Sequence, residues 1–316
     1  MTSRASSAIG LLVLSTSLAC EAPPSTGAVA RPRVGFVLKT LNSPFFIDMQ
    51  KGAVEAAAKE GIDLVIQAAE REVDAEKQMQ IVENLIQTRV KVLLITPSGS
   101  REIVAVLAKA NAAGIPIIVI DDRIDEAVAK SAGVKTVSYV GSDNVEGGRV
   151  AGRALVEMSG GKANVALLEG IPGHETGDSR LRGFKEAIAA SPGVKVVTSQ
   201  TANWERDQGF TVFQNMMQAH PEIDSVFACN DIMALGAMEA IAAAGRSGKI
   251  RVIGFDAVDD ARAAIEAGTM AASVAQLPGE MGRLAVVSAG KILRGETIPA
   301  EQLVRIELVR KVAPNR

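Results

Sequence analysis

From residue 34 to residue 275 the chain alternates short, nearly unbroken apolar runs with segments of helical length, and few architectures accommodate that order. The runs fall at 34–38, 63–67, 92–96, 117–121, 137–141, 163–168, 194–200, 225–228, 250–255 and 271–275. Between them helices are expected at 44–60, 74–89, 101–113, 144–159, 180–190, 206–219 and 233–244. A strand that is apolar on both faces must be covered on both faces, and strands joined through helices run parallel. The pattern therefore predicts an α/β fold built on parallel sheets. Gly61, Gly114, Gly245 and Gly268 fall where helix C-caps are expected, and Pro44 and Pro278 suit first helical turns. Ten strands are many for one open sheet, and 316 residues suffice for two domains. Two similar lobes are expected, with the seam near Gly141-Ser142-Asp143. A (β/α)₈ barrel is the alternative at this length.

Aromatic residues make up only 3% of the chain, with one Trp and one Tyr, so the core is expected to consist of Ala, Val, Ile and Leu. An aromatic residue in a loop, such as Phe46 or Trp204, then stands out as a contact surface. The net charge of −2 and the lack of a basic stripe argue against a nucleic-acid partner. At the N-terminus Arg4 precedes the apolar run Ile9-Gly10-Leu11-Leu12-Val13-Leu14, which is too short for a transmembrane helix and suits a signal peptide over residues 1–20. Ser17-Leu18-Ala19-Cys20 followed by the polar, Pro-containing residues 21–32 reads as a lipoprotein cleavage site and a flexible tether, with Cys20 as the lipidated residue. Ordinary cleavage near Ala19 is the competing reading, since Ser17 stands where such sites usually carry Leu. Either way an exported protein of the periplasm or cell envelope is expected. The other cysteine, Cys229, lies in an apolar run and reads as a small buried hydrophobe.

In open α/β sheets ligands bind beyond the carboxyl ends of the strands. Reading the residue past each apolar run gives Lys39, Asp121-Asp122-Arg123, Ser142-Asp143, Glu169, Asn203-Trp204-Glu205, Asn230-Asp231, Asp256 and Gln276. Carboxylate, amide and guanidinium groups can each hold two adjacent hydroxyls, and aromatic rings suit the C–H faces of a sugar. The inventory fits a neutral, polyhydroxylated solute. The bland reading stands beside it, because Asp or Asn after a strand is also a common helix N-cap. Asp143-Asn144 and Asp231 read as caps.

The segment Lys39-Thr40-Leu41-Asn42-Ser43-Pro44-Phe45-Phe46 resembles the pentose- and hexose-binding periplasmic proteins of ABC transporters, the ribose- and allose-binding family. The resemblance continues through Ser142-Asp143-Asn144-Val145, through residues 227–236, through Val252-Ile253-Gly254-Phe255-Asp256 and through Val274-Ala275-Gln276-Leu277-Pro278. It implies two Rossmann-like lobes joined by three crossover segments, the type I periplasmic binding protein fold. The first lobe would hold residues 33–141 and 277–304, and the second residues 142–276 and 305–316. It also implies ligand contacts at Lys39, Ser43, Phe46, Asp121, Asp122, Arg180, Trp204, Asn230, Asp256 and Gln276, with Phe45 in the core and Arg182 as the less favoured register for the arginine. Ribose-type relatives carry Ser at Lys39, Asn at Ser43 and Arg at Asp122. Lys39, Asp122, Trp204 and the loop Gly173-His174-Glu175-Thr176-Gly177 are closer to allose-binding proteins, so a hexose or related sugar is expected. The implied partners are a sugar, a membrane permease with its ATPase and, through the lipid, the membrane; a monomer is expected.

An enzyme is disfavoured. The first strand–helix loop has no glycine to cradle a dinucleotide or triphosphate, so no cofactor is expected. His174 and His220 are the only histidines, which argues against a metal site or a catalytic triad. A receptor that reports its ligand to a membrane sensor is the alternative to transport. Arg180 and Asp256 are expected to face an open, solvent-filled cleft, so that truncating either leaves the unliganded fold intact.

Overall fold

The computed structural model describes residues 31–311 and Thr2. The rest of the expected signal segment, Cys20 and residues 21–30 lie outside the described residues. The chain enters as β1 (Arg33–Thr40), α1 (Pro44–Glu60), β2 (Asp63–Ala69), α2 (Ala75–Gln87), β3 (Val92–Ile95), α3 (Val104–Ala112), β4 (Ile117–Ile120), α4 (Glu126–Ser131) and β5 (Ser138–Gly141). It continues as α5 (Asn144–Ser159), β6 (Ala163–Glu169), α6 (Glu175–Ile188), β7 (Val194–Thr201), α7 (Arg206–Ala219), β8 (Ser225–Ala228), α8 (Asp231–Ala243), β9 (Arg251–Asp256), α9 (Asp259–Ala267) and β10 (Ala272–Ala275). It closes with α10 (Pro278–Leu293), β11 (Glu301–Leu303) and β12 (Glu307–Arg310).

Two six-stranded sheets result, ordered β11-β5-β4-β3-β1-β2 and β12-β10-β9-β8-β6-β7, which excludes the barrel. All neighbours are parallel except β12, which runs antiparallel to β10. The chain passes between the lobes between β5 and α5, between β10 and α10, and between β11 and β12. The two-faced burial inferred from the apolar runs is visible in β1. Val34, Phe36 and Leu38 pack with Met49, Ala53, Met281 and Ala285 of α1 and α10, whereas Val37 packs with Ile81 and Leu85 of α2. The second lobe has one continuous core in which Phe184 stacks on Phe227 at 4.5 Å between centroids. Cys229 is fully buried there, and burial pushes its thiol up to about 12.

The expected helix starts at Pro44, Asn144 and Arg206 coincide with the observed ones. Gly61 and Gly268 cap helices in the left-handed conformation. Three expectations are corrected. Helix α6 begins at Glu175 rather than Arg180, so most of the supposed loop at 173–177 is its first turn and Arg180 lies in the second turn. The N-cap of α8 is Asn230, whose side chain accepts from the Met233 amide; Asp231 follows it inside the helix. Lys39 does not follow β1 but belongs to it. Asp143 does cap α5, accepting from the Glu146 amide. Among the described residues no helix is long and apolar enough to cross a membrane.

Candidate functional site

The carboxyl ends of the two sheets meet at a small cavity lined by both lobes. The first lobe contributes Lys39 from β1, Ser43, Phe45 and Phe46 around the start of α1, Glu72 after β2, and Asp121 and Asp122 after β4. The second contributes Thr176 and Arg180 from α6, Trp204 after β7, Asn230 after β8 and Asp256 at the end of β9. Of the ten contact positions expected from the sequence, all but Gln276 line this cavity. Gln276 stands behind it, donating from Nε2 to Asp256 Oδ1 at 2.8 Å. Phe45, Glu72 and Thr176 were not among the ten. Phe45, expected in the core, both packs there and lines the wall, edge-on to Phe46 at 5.2 Å. Arg182 is exposed on the far side of α6.

The lobes are closed on one another. Arg71 pairs with Glu205 at 3.3 Å across the cleft, and the Glu175 amide donates to Ser100 Oγ at 3.3 Å. Asp121, Asp122, Arg180 and Trp204 are all at most 5% exposed. Arg180 and Asp256 therefore do not face an open, solvent-filled cleft.

In the first-lobe wall Lys39 Nζ pairs with Asp122 and lies 3.5 Å from Glu72. Burial works against the lysine charge, but Asp122, Glu72 and Asp121 outweigh it and hold the ammonium above its ordinary range. Burial also opposes ionisation of Asp122, and Lys39 overrides it, so that carboxyl lies below its usual range. Burial raises Glu72 to about 7 against Lys39. Burial and then Asp122 push Asp121 up to about 6. His174, 5% exposed at the N-cap position of α6, is driven down to about 4 by burial and then by Lys39, and is neutral at pH 7.

In the second-lobe wall Arg180 is held on three sides. Nε donates to Asn144 Oδ1 at 2.9 Å, Nη1 donates to the Cys229 carbonyl at 2.7 Å, and the guanidinium lies 3.8 Å from the Phe255 ring centroid. Its Nη1 is 3.8 Å from Asp256 Oδ1. Burial raises Asp256 to about 8, with Arg180 opposing. Asp256 is not a helix cap: it sits at φ 108° at the end of β9, and α9 starts after Val258. The indole of Trp204 lies over Gly170, where a Cβ would come within 2.0 Å of the ring. Asn230 is largely committed to the protein, capping α8 and reaching the Trp204 carbonyl at 3.4 Å.

Asp121, Trp204 and Asp256 all occupy positive φ, at 65°, 67° and 108°. Non-glycine residues persist there when their surroundings hold them, and such strain gathers at working sites. Asp121 Oδ1, Gln276 Oε1, Thr176 Oγ1 and Trp204 Nε1 are buried without a hydrogen-bond partner among the described residues. The cavity thus presents acceptors, donors and aromatic faces together, which is the chemistry a polyol needs. No group of three or more His, Cys, Asp or Glu residues among the described residues is arranged to hold a metal ion.

A family model described as a periplasmic binding protein domain matches residues 34–297. The ribose import binding protein of Escherichia coli (strain K12) is 37% identical over 301 residues, covering 95% of this chain and 98% of that protein. The D-allose-binding periplasmic protein of the same organism is 35% identical over 292 residues, covering 91% and 93%. Among solved structures, a periplasmic solute-binding protein of an ABC transporter from Actinobacillus succinogenes 130z, with bound D-allose, superposes with a TM-score of 0.83 at 39% identity. That match covers 89% of this chain and 98% of that one.

Proposed function

The chain belongs to the periplasmic binding protein family, and on that premise we propose that it is the sugar-capturing receptor of an ABC importer, taking a neutral hexose or closely related monosaccharide between its lobes. The observation that carries the reading is the closed cavity itself, with carboxyl, guanidinium and ammonium groups beside Phe46 and Trp204. Carboxylates accept from pairs of sugar hydroxyls, Arg180 donates, and the rings take the C–H faces. Ser43 offers a hydroxyl where ribose-type relatives carry an amide, and Lys39 and Asp122 hold each other in place while facing the cavity. Together these favour a hexose such as D-allose over ribose.

Lys39, Ser43, Phe46, Asp121, Asp122, Arg180, Trp204, Asn230 and Asp256 form the contact set in this proposal, with Gln276 orienting Asp256. The protein acts as a monomer that hands its sugar to a permease driven by an ATPase, and it has no catalytic role. Calorimetry and thermal-shift measurements against D-allose, D-ribose, other hexoses, inositols and small polyols test it. One-to-one binding is expected, tightest for a hexose, with the sugar recovered unchanged. Silence across the whole panel would sink the sugar reading, and turnover of the bound sugar would sink the non-catalytic one.

The same proposal places the mature protein in the periplasm or cell envelope, tethered through an acylated Cys20. One acyl chain binds a membrane only marginally, so stable anchoring requires several. Mass spectrometry of the membrane fraction is expected to find Cys20 as an acylated N-terminus; a soluble product starting at another residue refutes the anchor.

A further inference from the structure

Tyr139, the one tyrosine of the chain, stands in β5, two residues before that strand ends at the first passage between the lobes. Its side chain is not part of the cavity wall. It folds back over Gly141, where a Cβ would meet the tyrosine Oη at 2.1 Å and Cζ at 2.4 Å, so only glycine fits beneath the ring. Beyond Gly141 the Oη donates to the main-chain carbonyl of Asp121 at 2.7 Å. The guanidinium of Arg123 covers the ring, 3.6 Å from its centroid. Arg123 in turn pairs with Glu301 of β11, the residue in register with Tyr139.

Asp121 is where β4 stops. Its amide still pairs with the Val140 carbonyl at 2.9 Å, and its φ of 65° then turns the chain out of the strand. That turn carries its carboxyl to the cavity. Burial alone does not explain why an aspartate persists in a left-handed conformation, whereas a donor fixed on its carbonyl does.

We propose that Tyr139 is a positioning residue for sugar recognition, its hydroxyl holding the Asp121 backbone in the turn that presents the Asp121 carboxyl to the ligand. This rests on the reading of the cavity as a sugar site. Because the ring is seated on Gly141, the first-lobe acid is also fixed to the strand end from which the lobes hinge.

Tyr139→Phe keeps the ring, its seat on Gly141 and the Arg123 stack, and removes only the donor. With D-allose as the probe, calorimetry is expected to show roughly tenfold weaker binding than the unmodified protein. In the Asp121→Ala background the same change is expected to alter affinity by less than about twofold, because a residue acting through the Asp121 side chain has nothing left to position. Fully additive losses would overturn the proposal, since a general loss of stability weakens both backgrounds alike. A crystal structure of unliganded Tyr139→Phe provides an arm that needs no sugar. Asp121 is expected to leave positive φ or to withdraw its carboxyl from the cavity, and an unmoved Asp121 overturns the proposal even if affinity has fallen. If the unmodified protein binds no sugar at all, the sugar reading fails, and the crystal structure still decides whether Tyr139 positions Asp121.

Discussion

Arg180 and Asp256 face each other at 3.8 Å, yet the protein holds them very differently. Arg180 satisfies Asn144 and the Cys229 carbonyl, both inside the second lobe. Asp256 accepts from Gln276 and stands on a strained backbone. Arg180→Ala is therefore expected to lower the melting temperature of the unliganded protein, because it leaves buried acceptors unpaired at about 1–3 kcal/mol each. Asp256→Ala removes a carboxyl that burial already disfavours in its charged form, and its unliganded melting temperature is expected to fall less. Both variants should lose about 2–5 kcal/mol of sugar affinity, or roughly 30- to several-thousandfold. Melting curves and calorimetry on the two proteins separate these effects. Undiminished affinity in both would remove them from the contact set.

Among the elements, α6 carries the most consequence for the site, and glycines set its position. A Cβ on Gly148 of α5 would fall 2.0 Å from the Arg180 carbonyl, and one on Gly183 of α6 would fall 1.9 Å from the Val145 carbonyl. The two helices are pressed backbone to backbone, with no flexible side chain between them to yield. Gly148→Ala must push α6 outward, and overpacking of this kind costs about 1–3 kcal/mol. Because Arg180 and Thr176 ride on α6, sugar affinity is expected to fall together with the melting temperature. Calorimetry showing full affinity in a destabilised Gly148→Ala protein would mean that the helix position and the site are uncoupled. The start of α6 is not legible in the sequence because Gly173, Thr176, Gly177 and Asp178 have the composition of a loop. Strands β11 and β12 are not legible either, because Glu301–Leu303 and Glu307–Arg310 are short and partly exposed, with no apolar run to mark them.

For the whole molecule, closure brings Glu72, Asp121 and Asp256 together with Asp122, Lys39, Arg180 and His174. When the lobes separate, the acids regain water and their ordinary values. In the closed form burial raises Asp121 to about 6, Glu72 to about 7 and Asp256 to about 8. The closed form therefore holds more protons than the open form between the ordinary carboxyl range and about pH 8. By linkage its relative stability is greatest at low pH and is lost as pH rises through those values. Asp122 and His174 are lowered and work the other way, Asp122 below the ordinary carboxyl range and His174 between about pH 4 and the ordinary imidazole range, where the three raised acids outnumber it. Lys39 stays charged throughout. Small-angle scattering on the ligand-free protein is expected to show a smaller radius of gyration at pH 5 than at pH 8. The same radius at both, or the opposite order, would contradict this account of the cavity's electrostatics.

The order of strands and helices could be read from the chain because each apolar run carries its own requirement for two-sided cover, a property of neighbouring residues. The residues after those runs were legible for the same reason: Asp121 and Asn230 stand where a strand ends, and strand ends of a parallel sheet point to the ligand side. Glu72 was not legible, since it lies in the charged stretch Glu70-Arg71-Glu72, and only the folded chain brings it to 3.5 Å from Lys39. Thr176 was hidden in what looked like a loop. The cap of α8 fell to Asn230 rather than Asp231 because backbone geometry chooses between two adjacent side chains of similar capacity. The positive φ of Asp121, Trp204 and Asp256, the tie from Tyr139 to Asp121 and the closing of the lobes all depend on contacts between distant parts of the chain. Such contacts exist only once the two sheets have formed, so tertiary structure decided them.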